Sequence, residues 1–375
     1  MKSPSTVSKS VKFGLHFAGI WPGTPLPGLH KILWVIFMVL FQGYQYRYII
    51  TRFKSESLEA LIDSLTIVLP YSLVSIKLTV SWIHHSVLCN LLSTMEEDCE
   101  KYAAIDTNKL IPKAAELSYR LTTITVVLYP ASAGFYAVGT FAFQQSNDST
   151  ARRLLLNMDL PFETNESPVY ELVVTTQFLF LTSSAFTFGI FSALLLMMTL
   201  HLGCHVDILC HTLSDLSTIN NEHIRFFISR QQEITLFAKR VEQLFTYISL
   251  SQLFSNTLIT CCLGYLIVIT LKTDGGLSML IKSVLFYYVI CLEAFIYCFA
   301  GEYLDIKSRM IGDTVYGSLW YNMEPIKSRQ LVLLILKAQK GLPLTFGKFS
   351  NLNLESFSSI MKASASYMSV LLAMS

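Results

Sequence analysis

Charge is scarce in this chain: Asp, Glu, Lys and Arg together make up 14% of its 375 residues, against roughly 25% in a soluble protein. So few charges cannot coat a water-facing surface of this size. Hydrophobic residues reach 52% and mean hydropathy is +0.48, which excludes a disordered chain, since disorder needs low hydrophobicity and high net charge. An excess of one sign is missing too. Lys+Arg 28 against Asp+Glu 26 leaves a formal charge of +2, so the basic footprint of a nucleic-acid binder is absent. Gly 17 and Pro 11 are too few for a collagen-like repeat. A multi-spanning membrane protein remains.

Catalytic motifs are also lacking. There is no nucleophile elbow, no paired-carboxylate motif and no HExxH helix, so an enzyme is not expected, nor is a cofactor. Between Gly341 and Gly347-Lys348 lie five residues instead of the four of a phosphate loop, and Phe349 stands where Ser or Thr would hold magnesium. The first thirty or so residues carry Pro4, Pro22, Pro25 and Pro27 and no apolar core. They are not a cleavable signal peptide, and the first span is expected to stay.

Seven stretches have the roughly 20 apolar residues needed to cross a bilayer: 32–50, 58–83, 121–143, 172–200, 244–271, 277–304 and 354–373. The distribution of Lys and Arg orients them. With the N-terminus inside, nineteen of the 28 basic residues fall in the inner segments 1–31, 84–120, 201–243 and 301–349. Five fall in the outer segments 51–57, 144–170 and 272–276. The expectation is therefore an all-α membrane protein with seven transmembrane helices, a cytoplasmic N-terminus at 1–31, an extracellular loop at 144–170 and an extracellular C-terminus. The sequons at Asn147 and Asn165 lie in that outer loop as glycosylation candidates. None of the eight cysteines falls in an outer segment, so no external disulfide is expected.

Ionisable residues inside a span cost on the order of 2.5–3.5 kcal/mol on insertion scales and need a partner or water. Lys282 sits near an outer end and can snorkel. Lys77 and Glu293 either pair, if the second and sixth spans touch, or reach headgroups or a cavity separately. Lys362 lies mid-span among Ser358, Ser359, Ser364, Ser366 and Ser369, a pattern that fits a water-facing channel lining or a tight helix contact. In the outer halves of several spans rings mix with hydroxyls: Tyr71, Phe135, Tyr136, Phe178, Phe180, Thr182, Phe286 and Tyr287. They form the candidate pocket for a small hydrophobic ligand. His201, Cys204, His205, Cys210 and His211 group the donor types of a metal site where the fourth span ends. Their spacing matches no standard zinc pattern, and they read as packing, with no metal expected.

The C-terminal third carries a recognisable order of residues. Val315-Tyr316 and Trp320-Tyr321 precede the apolar run 331–336, too short to cross a bilayer, and Lys337-Ala338-Gln339-Lys340 follow. Then come Thr345-Phe346-Gly347-Lys348-Phe349, Leu352-Asn353-Leu354-Glu355-Ser356-Phe357 and Lys362-Ala363-Ser364-Ala365-Ser366-Tyr367. This order resembles the insect odorant receptors, as does the stretch Met158-Asp159-Leu160-Pro161-Phe162 more weakly. The resemblance implies a ligand-gated, non-selective cation channel of the plasma membrane of olfactory neurons. Its partners would be small apolar odorants or pheromones, the lipid bilayer and the odorant receptor co-receptor, joined in a heterotetramer. It also implies a cytoplasmic helical anchor at 301–349 and a pore helix at 350–375. The channel would be lined by Lys362 and Ser366 and closed by an apolar gate at Val370 and Met374, where Met374 replaces a leucine of the co-receptor. The co-receptor is about a hundred residues longer, so this chain resembles a ligand-tuning subunit. Two other classes fit less well. A G-protein-coupled receptor needs the opposite orientation and the Asp-Arg-Tyr and Asn-Pro-x-x-Tyr motifs, and a small-molecule transporter often has an internal repeat.

Overall fold

The structure, a computed structural model, describes residues 5–106, 108–147, 154–164, 166–214, 221–272, 277–318 and 320–374. Helices dominate: α1 (Lys9–Phe17), α2 (Pro27–Arg52), α3 (Leu58–Ile83), α4 (His85–Lys101), α5 (Leu110–Asn147), α6 (Val169–Ser214), α7 (Asn221–Lys272), α8 (Leu277–Gly317), α9 (Pro325–Gln339) and α10 (Leu354–Met374). The expected all-α architecture has one small exception. Strands β1 (Thr345–Phe346) and β2 (Ser350–Asn351) pair antiparallel. Their turn needs left-handed backbone, which Gly347 and Lys348 supply at φ 58° and 60°. The Gly347 amide donates to the Thr246 carbonyl of α7 at 3.1 Å, fastening the hairpin to the bundle.

Among the described residues, α3, α5, α6, α7 and α8 are each long and apolar enough to cross a membrane. α2 and α10 lie alongside them. α2 is joined to α3 by Tyr46–Ser72 (2.7 Å) and Ser75–Gln42 (3.1 Å), and α10 to α7 by Thr260–Ser364 (2.7 Å). With these two, seven helices of the bundle coincide with the seven apolar stretches. Several run well past the apolar stretches that announce them. α6 and α7 are 46 and 52 residues long, against the roughly 20 residues a bilayer requires. The α6 extension stays largely buried, whereas that of α7 alternates buried and exposed residues, so its hydropathy alone does not register it.

The extensions gather at one end of the bundle with α1, α4 and α9. There the α9 residues Leu331, Leu334 and Ala338 are buried in the main core, and Gln231 of α7 donates to the Leu334 carbonyl at 3.3 Å. The end of α10 lies at the opposite end, where Leu371 and Leu372 pack on Ile62 of α3 and Tyr265 of α7. The described chain thus starts and finishes at opposite ends, as an odd number of crossings demands. α6 is the central post, buried at every residue from 187 to 206. Gly189 makes the closest α5 approach possible, since a Cβ there would meet Tyr129 at 2.8 Å.

Candidate functional site

Between α3, α5, α6 and α8, away from the α9 end, the bundle encloses a cavity of about 100 Å³. Its wall is apolar and aromatic: Ile67, Pro70, Tyr71 and Val74 from α3, Tyr129, Ala133 and Tyr136 from α5, Leu181, Ala185 and Phe188 from α6, and Leu285, Phe286, Val289 and Ile290 from α8. Pro70 and Pro130 each remove a main-chain donor from α3 and α5 at this depth. The side wall is sealed by ring stacking. Phe180 lies 4.8 Å from Tyr71 and 4.2 Å from Phe41 of α2, centroid to centroid. Leu155, Leu156 and Met158 close over the same cluster. Gln177 clamps that segment, exchanging two 3.1 Å hydrogen bonds with the Leu156 main chain, and Arg47 of α2 pairs with Asp159 at 2.9 Å.

Polar groups enter the cavity sparingly. The Tyr71 hydroxyl is buried and has no hydrogen-bond partner. An unpaired buried donor costs about 1–3 kcal/mol, so it is poised to gain from a ligand acceptor. Lys282 does not reach for headgroups. It pairs with Asp63 at 3.5 Å and lies 4.1 Å from the Tyr136 ring, where it lines the cavity.

Below the cavity lies a fully buried charge network. Lys77 Nζ is 3.2 Å from Glu293 Oε1, both side chains having 0% exposure. Ser192 donates to both Glu293 oxygens, at 2.7 and 2.8 Å, and the Tyr129 hydroxyl donates to Glu293. The ammonium also sits 3.6 Å from the Phe188 ring centroid, a cation–π contact. Tyr129 and Phe188 belong at once to the cavity wall and to this network. Such a pair is tolerable in a membrane only because every charge is answered.

The residues expected from sequence divide sharply. Tyr71, Tyr136 and Phe286 line the cavity. Phe180 supports it from behind Tyr71, and Tyr287 packs to one side on Ile259, Leu263 and Ile290. Phe135, at 66% exposure, and Phe178, at 39%, face away from it, and Thr182 spends its hydroxyl on the Phe178 carbonyl at 2.8 Å. Ring-rich helices present rings all round, and composition does not reveal the rotation of each helix. Sequence reading missed Ala133, Ser184, Leu285 and Lys282, which become visible only when four helices are assembled.

α10 has two faces. One is docked: Phe357 and Ile360 pack on the main core, Ser364 bonds to Thr260, and Met368 lies so close to Gly264 that a Cβ there would meet its sulfur at 2.6 Å. The other face, with Ser358, Ser359, Lys362, Ser366, Ser369 and Val370, is exposed. Gly301 of α8 allows the start of α10 to seat, since a Cβ there would meet the Leu352 carbonyl oxygen at 2.2 Å. Met374 ends the helix. The side chains of Met374 and Asn147, and all of Asn165, lie outside the described residues.

At the α9 end, charges pair closely. Lys101 and Glu233 meet at 2.9 Å, Arg230 and Glu233 at 2.8 Å, and the Arg230 guanidinium lies 3.7 Å from the Tyr102 ring. The Glu233 hydrogen bond raises the Lys101 ammonium above its ordinary range. Burial pushes the Asp98 carboxyl up, but the neighbouring His201 and the Arg230 guanidinium more than reverse this and hold it low.

Comparison with known proteins agrees with this architecture. The sequence model of the 7tm odorant receptor family matches residues 57–365. Odorant receptor 47a of Drosophila melanogaster is 31% identical over 137 residues, 35% of this chain and 34% of its own. Odorant receptor 13a of the same fly is 26% identical over 169 residues, 41% of this chain and 39% of its own. The aligned stretches thus span between a third and two fifths of these relatives. The fold is similar to that of the insect olfactory receptor OR5 from Machilis hrabei in complex with eugenol, with a TM-score of 0.79 at 15% identity over 98% of this chain and 97% of the other.

Proposed function

The chain belongs to the 7tm odorant receptor family, and from that premise we propose that it is the odorant-binding subunit of a ligand-gated, non-selective cation channel. It is a receptor and a multi-pass membrane protein, not an enzyme. The observation that carries the finer reading is the cavity between α3, α5, α6 and α8. It is small and apolar, and the Tyr71 hydroxyl in its wall is buried and unpaired. That combination suits a volatile of modest size with an apolar body and a single hydrogen-bond acceptor, such as an ester, aldehyde, ketone or alcohol. Of the chain's structural neighbours, the Machilis hrabei receptor has been solved with eugenol.

In this reading the N-terminus is cytoplasmic, α9 and the helix extensions form a cytoplasmic anchor where subunits pack, and the exposed face of α10 turns toward a central pore. Lys362 and Ser366 would face water, and Val370 and Met374 would narrow the path, since apolar rings gate by dewetting. The partner is the odorant receptor co-receptor, in a heterotetramer at the plasma membrane of olfactory neurons. Odorant binding favours the open arrangement only through its preference for that state. α8 connects the two sites: it carries the cavity residues Leu285 to Ile290 and touches α10 through Phe295 and Phe357, 5.8 Å apart.

Two experiments test this. The full chain expressed with the co-receptor is exposed to an odorant panel; a ligand-evoked cation current supports the proposal, and its absence at normal surface expression refutes it. Val370→Ser is expected to raise basal conductance by wetting the constriction. Unchanged leak at equal surface expression removes Val370 from the gate.

A further inference from the structure

We propose that Asp98, His201 and His205 form a binding site for one divalent transition-metal ion of the zinc class, stapling α4 to α6 at the α9 end of the bundle. Candidate ligand atoms of the three residues lie within 4.8 Å of one another. His201 and His205 are one helical turn apart on α6, the i, i+4 spacing that places two imidazoles on one face for a metal. Asp98 comes from α4, more than a hundred residues earlier in the chain, and completes an Asp-His-His set that local spacing does not reveal.

The donors are in the state a metal requires. Both histidines are 1% exposed. Both ring nitrogens of His205 lack a hydrogen-bond partner, an unusual condition for a buried imidazole. His201 Nδ1 and the Thr6 hydroxyl lie 2.8 Å apart, the kind of outer hydrogen bond that orients a metal-binding histidine. Its Nε2 has no hydrogen-bond partner and lies 3.7 Å from Asp98 Oδ2. Zinc–nitrogen and zinc–oxygen bonds of about 2.1 Å set tetrahedral ligands about 3.4 Å apart. The widest pair therefore closes by at most about 1.4 Å, or 0.7 Å for each side chain, within the reach of small χ rotations.

Arg230 is the competitor. Its Nη1 and Nη2 reach the Asp98 oxygens only at 3.4–3.5 Å, long contacts, whereas Nη1 also lies 2.8 Å from Glu233 and the guanidinium stacks on Tyr102. Arg230 thus stays anchored when Asp98 turns to a cation. Three protein ligands leave a fourth position for water. Thr6 lies just before α1, so the site ties the start of the chain, α4 and α6 together.

The test uses the full-length chain purified in detergent, stripped with chelator and titrated with zinc. The expected result is about one zinc per chain, with affinity at least tenfold weaker in His205→Gln and in Asp98→Asn. Thr6→Val is expected to weaken it by about 10–100-fold through the outer hydrogen bond. Equal zinc uptake by the wild type and His205→Gln overturns the site. Cobalt in the wild-type protein gives a readout that does not depend on the variants folding. A tetrahedral d–d absorption without a thiolate charge-transfer band supports the Asp-His-His set; no d–d band, or a strong thiolate band, overturns it.

Discussion

The two halves of α6 are built for different work. From residue 187 to 206 every side chain is buried and close-packed, and Leu194, Leu195, Met197 and Met198 sit in the main core at 0% exposure. In the first half Leu181, Ser184 and Ala185 stand beside empty space. Dense packing has few alternative arrangements, whereas a cavity leaves wall side chains free to repack around a ligand. The Lys77–Glu293 network lies at the boundary, so a change in the cavity wall meets the rigid half through Tyr129 and Phe188. The comparison suggests a stiff post with an adaptable cap.

Breaking the boundary is expected to have the largest effect. Glu293→Ala strands Lys77 in a buried site, and loss of one partner from such a pair costs about 3–5 kcal/mol. The measurement is thermal unfolding of the purified protein alongside surface expression. Wild-type stability would show that the network bears little on the fold. Next, Leu195→Ala in the packed half is expected to cost about 3 kcal/mol through the void it leaves. Leu181→Ala beside the existing cavity is expected to cost under about half of that and to alter ligand response instead. Equal destabilisation at the two sites would erase the distinction between the halves.

Smaller changes sharpen it. Tyr71→Phe removes a buried, unpaired hydroxyl of the wall, so potency for acceptor-bearing odorants is expected to fall about 2–10-fold, the worth of one hydrogen bond. Pure hydrocarbons should lose nothing. Phe135→Ala, one residue before Tyr136 but facing away from the cavity, is expected to leave dose–response curves unchanged at equal surface expression.

Much of the scaffold was legible in the chain itself. The seven apolar stretches all fall on helices, because the bilayer imposes a length and a polarity that single residues report. Helix extensions such as 221–243 were not legible as helix, since outside the membrane nothing in hydropathy separates a polar helix from a loop. The pocket was half legible. Tyr71, Tyr136 and Phe286 line it, but Phe135 and Phe178 are equally aromatic and face elsewhere, a difference of helix rotation set by tertiary packing. Lys77 and Glu293 stood out as costly residues, yet 216 positions separate them, and only the folded bundle joins them. The i, i+4 pair His201 and His205 was visible, but its Asp98 partner was not.

The central claim is that a ligand in the α3–α5–α6–α8 cavity opens the path along α10. Ala133 is a 6% exposed cavity residue, and Ala133→Phe should fill the space. The decisive measurement is odorant-evoked current from this variant with the co-receptor, against wild type at matched surface expression. The account requires the evoked current to fall at least tenfold while basal conductance persists. A full-sized current at wild-type potency would place odorant binding somewhere else.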